Sequence, residues 1–171
     1  MMKNFRPLTL ALATLASASA SRLPANLEPF GPEQVCVGRA EVLVRGQPDK
    51  KLTQAAQELL NKTATTQKLS TTSYTECPAW LSYRVEVANT GQDKLLVYGA
   101  TLSLVTPKLE TKAVGNLKDE TFDYDGGFEY VTLWDAGGQD IAFDTENLAF
   151  RLRARLLDLM DTFAADWKKT H

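Results

Sequence analysis

The chain has 171 residues, a formal net charge of −2 and charged side chains at 23% of its positions. It has no cluster of lysine and arginine, so it lacks the basic surface that nucleic-acid binding requires. No basic amphipathic segment suits a membrane surface either. Apart from an N-terminal leader, about 150 residues remain, which is enough for one domain with a sizeable core and too few for two.

The N-terminus has the pattern of a secretory signal peptide. Lys3 and Arg6 precede a run of apolar and small residues, and residues 18–20 form the Ala-Ser-Ala site at which signal peptidase cleaves. The apolar run is too short to span a membrane. Because Cys36 lies too far downstream to carry a lipid anchor, we expect residues 1–20 to be removed and the protein to be exported to the periplasm, the cell envelope or the medium.

Cys36 and Cys77 are the two cysteines of the chain. In an exported protein this number favours one disulfide. A loop of roughly forty residues closed by such a bridge stabilises the fold by roughly 4 kcal/mol in the chain-entropy model. A redox pair or a pair of metal thiolates is the alternative, but redox cysteines usually lie close together as CxxC and a zinc site needs two more ligands.

The first elements in chain order are a lead-in, a strand and a helix. Residues 21–34 contain three prolines and no apolar period, which favours an extended lead-in before a single domain at residues 35–171. Residues 35–44 are rich in β-branched side chains and predict a strand. Pro48 and Asp49 then open a helix with an apolar stripe at Leu52, Ala56, Leu59 and Thr63.

The middle of the chain predicts two paired strands. Residues 62–75 are rich in threonine and serine without a period, which indicates a connecting loop. Residues 80–87 alternate apolar and polar side chains, as a half-buried strand does. After a turn at residues 89–93, residues 95–106 predict a second strand that pairs antiparallel with the first, because the link is short.

The last thirty residues predict a long amphipathic helix. Asp144 or Thr145 can cap its start, and Lys168 and Lys169 suit its C-terminal dipole. One stripe of this helix carries Leu148, Leu152, Leu156, Leu159, Phe163 and Trp167. A second stripe, Phe150, Leu157 and Ala164, predicts either burial of the helix on a second side or a contact surface for a partner.

These elements predict the α+β class. We expect a mainly antiparallel sheet of about five strands with two helices packed on one face, in the order β-α-β-β-β-β-α.

An acidic stretch at residues 119–129 holds five carboxylates in eleven residues and has some likeness to a calcium loop. With Gly126 at position 6 of an EF-hand, Thr121 and Thr132 stand at positions 1 and 12, where carboxylates are needed. The segment that follows is strand-like where an EF-hand requires a helix. The calcium-loop interpretation is therefore disfavoured.

A β-hairpin explains more of this stretch. A three-residue loop at residues 125–127 provides glycine for the left-handed position of the turn. That register sets Tyr124 opposite Phe128 and Phe122 opposite Tyr130, and Trp134 continues the same face.

The other face of the predicted hairpin brings Asp123 opposite Glu129, and such like charges repel. Solvent exposure at the tip, the nearby Lys118 or a bound cation would each relieve this repulsion. The weak candidate ligands for a cation are Asp123, Asp125 and Glu129.

Catalytic patterns are sparse. The one histidine is His171, the last residue, which we expect to be frayed, so Ser-His-Asp and Cys-His machinery is disfavoured. Gly137-Gly138 is interpreted as a turn. The remaining enzyme hypothesis is a carboxylate-pair hydrolase of envelope glycans, with the pairs Asp123 and Glu129 or Glu76 and Asp135.

The favoured hypothesis is a non-catalytic binding or accessory module of the cell envelope that contacts a protein partner and needs no cofactor. Its candidate contact residues are Tyr124, Phe128, Tyr130, Phe150 and Leu157, with Trp80 as a further aromatic. The alternative for the aromatic side chains is that they cover the core face of the sheet.

Two passages carry a resemblance to known proteins. Residues 75–91, TECPAWLSYRVEVANTG, and residues 163–171, FAADWKKTH, resemble segments of small exported uncharacterised proteins of Deinococcus-type bacteria. The resemblance covers 26 of the 171 residues and implies an exported location rather than an activity. The order of elements is also loosely similar to small periplasmic accessory domains such as the N-terminal domain of TolB.

Overall fold

A computed structural model describes residues 22–69, 77–91, 94–110 and 127–171 of the chain. Two short 3-10 turns, Pro24–Leu27 and Pro32–Gln34, precede the first strand. The strands are β1 (Val35–Val44), β2 (Gln47–Pro48), β3 (Ala79–Asn89), β4 (Leu96–Glu110) and β5 (Gly127–Ala142). The helices are α1 (Lys50–Thr66) and α2 (Thr145–Thr170). Neither helix in these ranges combines the length and the apolarity needed to cross a membrane.

The strands form one sheet in the order β2-β1-β3-β4-β5. β1 and β3 are parallel because α1 carries the chain back across the sheet between them, and the other three pairings are antiparallel. The predicted α+β class, with a mainly antiparallel sheet and two helices, is confirmed, and the sheet is mixed rather than purely antiparallel. The two-residue β2 precedes α1, and three strands of the described residues follow that helix. The first strand of the predicted hairpin, which would end at Tyr124, lies outside the described residues.

Strand β5 continues without a break through two glycines. Gly137 and Gly138, interpreted from the sequence as a turn, lie inside β5 opposite Thr101 and Ala100, so that interpretation is wrong. A Cβ atom on Gly137 would lie 2.8 Å from the carbonyl oxygen of Ala100, and one on Gly138 would meet the guanidinium of Arg155. The two glycines therefore allow a close approach of β4 and α2 rather than a reversal of the chain.

The core lies between the helices and one face of the sheet. The side chains of Leu81, Tyr83 and Val85 on β3 are fully buried, and the polar side chains between them face the other way, which confirms the predicted alternation. The hydroxyl of Tyr83 donates a hydrogen bond to the carbonyl oxygen of Leu152 at 3.3 Å. Burial, followed by the neighbouring Tyr98, raises the pKa of Tyr83 well above its ordinary value, so this phenol stays protonated.

Helix α1 begins at a side-chain cap, since Asp49 accepts a hydrogen bond from the amide of Leu52 at 3.0 Å. Its buried stripe is Leu52, Ala56, Leu60 and Ala64. Of the other two predicted members of the stripe, Leu59 packs against the core but is only half-buried, and Thr63 is also half-buried. The buried residues are spaced by four, which exceeds the 3.6 residues of one helical turn, so the buried stripe drifts slowly around the helix. Leu59 and Leu60 are therefore both near the core face, and packing on β1 decides which of them is buried.

Polar side chains of α1 cover the outer edge of β1. The amide of Ala40 donates to Oε1 of Gln57 at 2.7 Å, and Nε2 of Gln57 donates to the carbonyl oxygen of Gly38 at 3.0 Å. The amide of Val42 donates to Oγ1 of Thr53 at 3.0 Å. These bonds satisfy backbone groups that β2 is too short to reach, and so protect the edge.

Helix α2 lies over β4 and β5. Asp144 caps it by accepting a hydrogen bond from the amide of Asn147 at 2.7 Å. The predicted stripe is confirmed, since five of its six side chains are buried and Trp167 packs against the core at its end.

Residues 22–34 belong to the folded domain rather than to a separate extended lead-in. Leu27 is fully buried in the core, and Phe30 packs against it. The side-chain amide of Asn26 donates to the carbonyl oxygen of Leu133 at 2.7 Å, which ties the segment to β5. The prolines stiffen short 3-10 turns here, and isolated apolar residues provide burial without any helical or strand period.

The predicted disulfide between Cys36 and Cys77 is present. It links β1 to the residue pair before β3 across 6.0 Å between Cα atoms, within the normal range for such bridges.

Candidate functional site

The face of the sheet opposite the helices carries an aromatic pair, formed by Trp80 and Tyr130. The two rings meet edge to face with their centroids 6.4 Å apart. Tyr130 is 69% exposed, and its backbone has a φ of 54°, a left-handed conformation that few residues other than glycine adopt. We call this surface the open face. In the described chain both helices pack on the opposite side of the sheet.

A bulge in β5 puts Tyr130 on the open face. Leu104 is paired with Trp134, but the next residue, Val105, is paired with Thr132, so Leu133 is the extra residue. One extra residue reverses the face on which the following side chains lie. The prediction that Trp134 continues the face of Tyr130 is therefore wrong: Trp134 is buried beneath α2, and Tyr130 is exposed.

Trp80 is held in place by a glycine on the neighbouring strand. The indole ring lies against Gly38, where a Cβ atom would also come within 2.6 Å of the carbonyl oxygen of Leu81. The register between β1 and β3 shifts at this point. Because Gly38 has no side chain, the indole of Trp80 fits beside it on the open face. The alternation of side chains along β3 puts Trp80 on this face.

Next along the open face is a charged group centred on Arg84. Its guanidinium contacts Glu41 at 2.9 Å and Glu86 at 2.8 Å. The hydrogen bond with Glu86 is the main cause that raises the pKa of Arg84. All three side chains are exposed, so their ion pairs add little to stability, and they give the open face a polar centre beside its aromatic end.

The acidic stretch is only partly within the described chain. Phe122, Asp123, Tyr124 and Asp125 lie outside it, together with Lys118 and Glu76. Gly127, predicted in the hairpin loop, is instead the first residue of β5 and pairs with Glu110.

Three members of the predicted residue pairs are each opposite a residue other than the predicted partner in the described chain. Phe128 is opposite Leu109, and Glu129 is opposite Lys108, so an opposite charge faces this carboxylate across the β4–β5 ladder. Asp135, from the second predicted pair, is opposite Ser103. Within residues 22–69, 77–91, 94–110 and 127–171, no three side chains of the His, Cys, Asp or Glu type come together as metal ligands would.

A buried carboxylate near the end of α2 is the main group that the sequence analysis missed. Asp166 is 1% exposed and accepts hydrogen bonds from Nε and a terminal nitrogen of Arg22 at 2.9 and 2.7 Å. Nε1 of Trp134 and Nζ of Lys169 also donate to it, at 3.1 and 2.7 Å. A signal was present in the sequence: Asp166 follows Leu159 by seven residues and so lies on the buried stripe.

The donors keep Asp166 charged. Burial is the largest single influence and would raise its pKa, but the hydrogen bonds from Lys169, Arg22 and Trp134 together outweigh it and lower the pKa to about 2. The ionised group fastens the N-terminal segment to α2 and β5. We assign it a structural role.

His171 is not frayed, contrary to the prediction. Its ring stacks on Trp167 with 4.2 Å between centroids, and Nε2 lies 2.8 Å from the carbonyl oxygen of Phe30. The residue that caps the C-terminus of α2 therefore also holds the N-terminal segment.

The second stripe of α2 is not covered by the rest of the described chain. Phe150 is 69% exposed and Leu157 is 37% exposed. Phe150 stands at the rim of an open groove of about 560 Å³ between α1 and α2, with Leu52, Ala56 and Leu156 among its lining residues. The described residues therefore leave Phe150 mostly exposed and cover Leu157 only in part, which favours the contact surface among the two interpretations of this stripe.

Comparison with known proteins does not identify a family for this chain. No protein-family model matches the sequence, and no curated protein matches it. Among solved structures, a variant of the PelC dodecamer from Paraburkholderia phytofirmans has a TM-score of 0.46 and 11% identity over 79% of this chain and 89% of that chain. A second form of that dodecamer has a TM-score of 0.45 and 14% identity, over 79% and 90%. A likeness of this size carries no argument about function.

Proposed function

We propose that this protein is an exported, non-catalytic binding module of the cell envelope that contacts a protein partner through Trp80 and Tyr130 on the open face. The observation that carries the proposal is the exposure of Tyr130 beside Trp80 on a sheet face that neither helix covers. Aromatic side chains are enriched in protein interfaces, where a rigid ring buries a large area at low entropic cost.

The backbone of Tyr130 supports this assignment. A left-handed conformation costs a residue other than glycine about 1–2 kcal/mol. Burial of a large ring in the core would offset that cost, but the ring of Tyr130 is mostly in solvent. Residues with a strained backbone are found preferentially at functional sites, where the strained conformation positions a side chain for contact with a ligand or partner.

Two independent features of the chain support export. The N-terminal pattern predicts a signal peptide, and the Cys36–Cys77 disulfide is typical of oxidising compartments outside the cytoplasm. The partner is then an envelope protein that reaches the same compartment.

Site-specific crosslinking in intact cells tests the contact. A photoactivatable amino acid at position 130 should give an adduct with one envelope protein, and the same probe at position 141 should not. Ile141 is a matched control because it is on β5, is 42% exposed and lies at the far end of the strand, opposite Val97.

The Trp80→Ser variant should reduce the adduct at position 130 without loss of folded protein. The same adducts from both positions, or none from position 130, would refute the proposed contact.

Absence of catalysis is part of the proposal and has its own test. The carboxylate-pair hydrolase and the cation site remain predictions from sequence, since Asp123, Asp125 and Glu76 lie outside the described residues. Turnover of cell-wall glycans by the purified protein, lost in Glu129→Gln and Asp123→Asn, would replace the binding module with an enzyme.

A further inference from the structure

The exposed side of α2 carries a symmetric pattern. Phe150 and Ala164 each lie seven residues from Leu157, on either side of it. Seven residues are nearly two helical turns, so the three side chains share one side of the helix. Four charged residues flank them within about 40° around the helix axis. We call the complete set the outer stripe: Glu146, Phe150, Arg153, Leu157, Asp161, Ala164 and Lys168.

The charges of the outer stripe have opposite signs at equal distances from Leu157. Arg153 and Asp161 are each four residues away, and Glu146 and Lys168 are each eleven residues away. If two copies of α2 lie antiparallel with Leu157 at the two-fold axis, Arg153 of each copy is at the height of Asp161 of the other. Glu146 and Lys168 meet in the same way, so the arrangement contains four pairs of opposite charges.

The apolar residues fit the same arrangement. Leu157 meets its own copy at the axis, and Phe150 of each copy lies opposite Ala164 of the other. A large side chain opposite a small one permits close packing of two helices. Phe150 and Leu157 are exposed in the isolated chain, and Ala164 is half-buried, so the stripe is accessible.

The four charged residues have no opposite charge nearby on their own helix. None of them has an oppositely charged residue three or four positions away. The ion pairs found among the described residues also involve none of them. All four side chains are exposed. Within the described ranges, the four charges are therefore available to meet their opposites on a second copy.

Two alternative two-fold pairings of the stripe are unfavourable. A parallel pair in register sets each charge beside its own copy. An antiparallel pair shifted by seven residues brings Arg153 to Lys168 in one direction and Glu146 to Asp161 in the other. Like charges repel in both cases, so among these closed two-fold arrangements the charge pattern favours the antiparallel pair centred on Leu157.

We propose that the outer stripe of α2 is an interface for a second copy of this chain, in an antiparallel two-fold dimer with Leu157 at its axis. Closed two-fold dimers are the commonest symmetric assemblies, and their interfaces are self-complementary in this way. The contact spans residues 146–168, about 33 Å of helix. One helix pair lies at the small end of the range for specific interfaces, so we expect a dimer that dissociates at micromolar concentrations. The open face remains free in this dimer, and the proposal does not depend on the function assigned to that face.

Sedimentation of the purified exported protein tests the interface by charge reversal. Arg153→Glu opposes like charges at two symmetry-related places, and so does Asp161→Arg, so each should raise the dissociation constant at least about tenfold. The double variant restores opposite charges and should return the constant to near the wild-type value. Asp158→Arg is the matched control, because this exposed residue of α2 lies off the stripe and should leave the dimer unchanged.

A cysteine at the axis tests the register. Leu157→Cys should form an intermolecular disulfide under oxidising conditions, because the two copies of this residue meet. Position 165 is also exposed in the described chain, but Ala165→Cys should not crosslink, since its two copies would lie about 24 Å apart along the helix axes.

Three results would overturn the proposal. The first is a wild-type protein that stays monomeric up to roughly millimolar concentration, a range that includes weak specific contacts. The second is a dimer that is insensitive to Arg153→Glu and Asp161→Arg, which would place the interface elsewhere. The third is failure of the double variant to restore association while circular dichroism shows that it is folded.

Discussion

Leu156 and Leu157 are consecutive residues of one helix and meet opposite environments. Leu156 is fully buried against the sheet, whereas Leu157 is 37% exposed on the outer stripe. Both belong to rows of apolar residues at helical spacing, so the spacing alone does not distinguish a core face from a contact surface. The difference lies in their neighbours. The row of Leu156 is apolar from Leu148 to Phe163, and the row of Leu157 is interrupted by charges that have no helical partner of opposite sign.

The sharpest test of this comparison truncates the two leucines separately. Leu156→Ala removes a fully buried side chain and should lower the free energy of unfolding by about 2–5 kcal/mol. Leu157→Ala should change it by less than about 1 kcal/mol when measured on the dilute monomer. Chemical denaturation measures both values. Equal losses in the two variants would show that α2 is buried on both sides.

The buried stripe also contains a charge, and its removal should have the next largest effect. Asp166→Asn replaces charge-assisted hydrogen bonds from Arg22 and Lys169 with weaker ones, so we expect a loss of about 1.5–3 kcal/mol in the free energy of unfolding at neutral pH.

The pH dependence of this loss identifies its cause. The pKa of Asp166 is lowered to about 2 in the folded state, below its ordinary value of 3.8, so folding favours the ionised form. Its stabilisation is present above pH 4 and is lost as the pH falls toward 2. The difference between wild type and Asp166→Asn should therefore shrink over this interval. A constant difference between wild type and Asp166→Asn over this interval would mean that packing rather than charge is lost.

The smallest effect on the monomer is expected on the outer stripe. Phe150→Ser exchanges a 69% exposed ring for a small polar side chain and should alter the free energy of unfolding of the dilute protein by about 0.5 kcal/mol or less. The variant should instead lose the rise of melting temperature with protein concentration that a dimer shows. A large loss of stability in the dilute variant would make Phe150 a core residue.

Regular periods account for the correct predictions. The strand at residues 80–87 and the stripe from Leu148 to Phe163 repeat every two or every three to four residues, and each repeat reports one face of one element. The Cys36–Cys77 bridge was also predictable, because two cysteines in an exported chain have a simple pairing. Residues 22–34 were misjudged since the burial of Leu27 follows no period.

Local pattern along the chain was therefore enough for the helices, the paired strands, the disulfide and the α+β class, because each depends on residues close in sequence or on a unique pair. Tertiary structure alone decided what depends on register. The bulge at Leu133 separates Tyr130 from Trp134 and puts one on the open face and the other in the core. The approach of the N-terminal segment to α2 brings Arg22 to Asp166 and makes this carboxylate a buried anchor. Both outcomes depend on contacts between distant segments, whose geometry is set by packing of the whole domain rather than by the residues next to them.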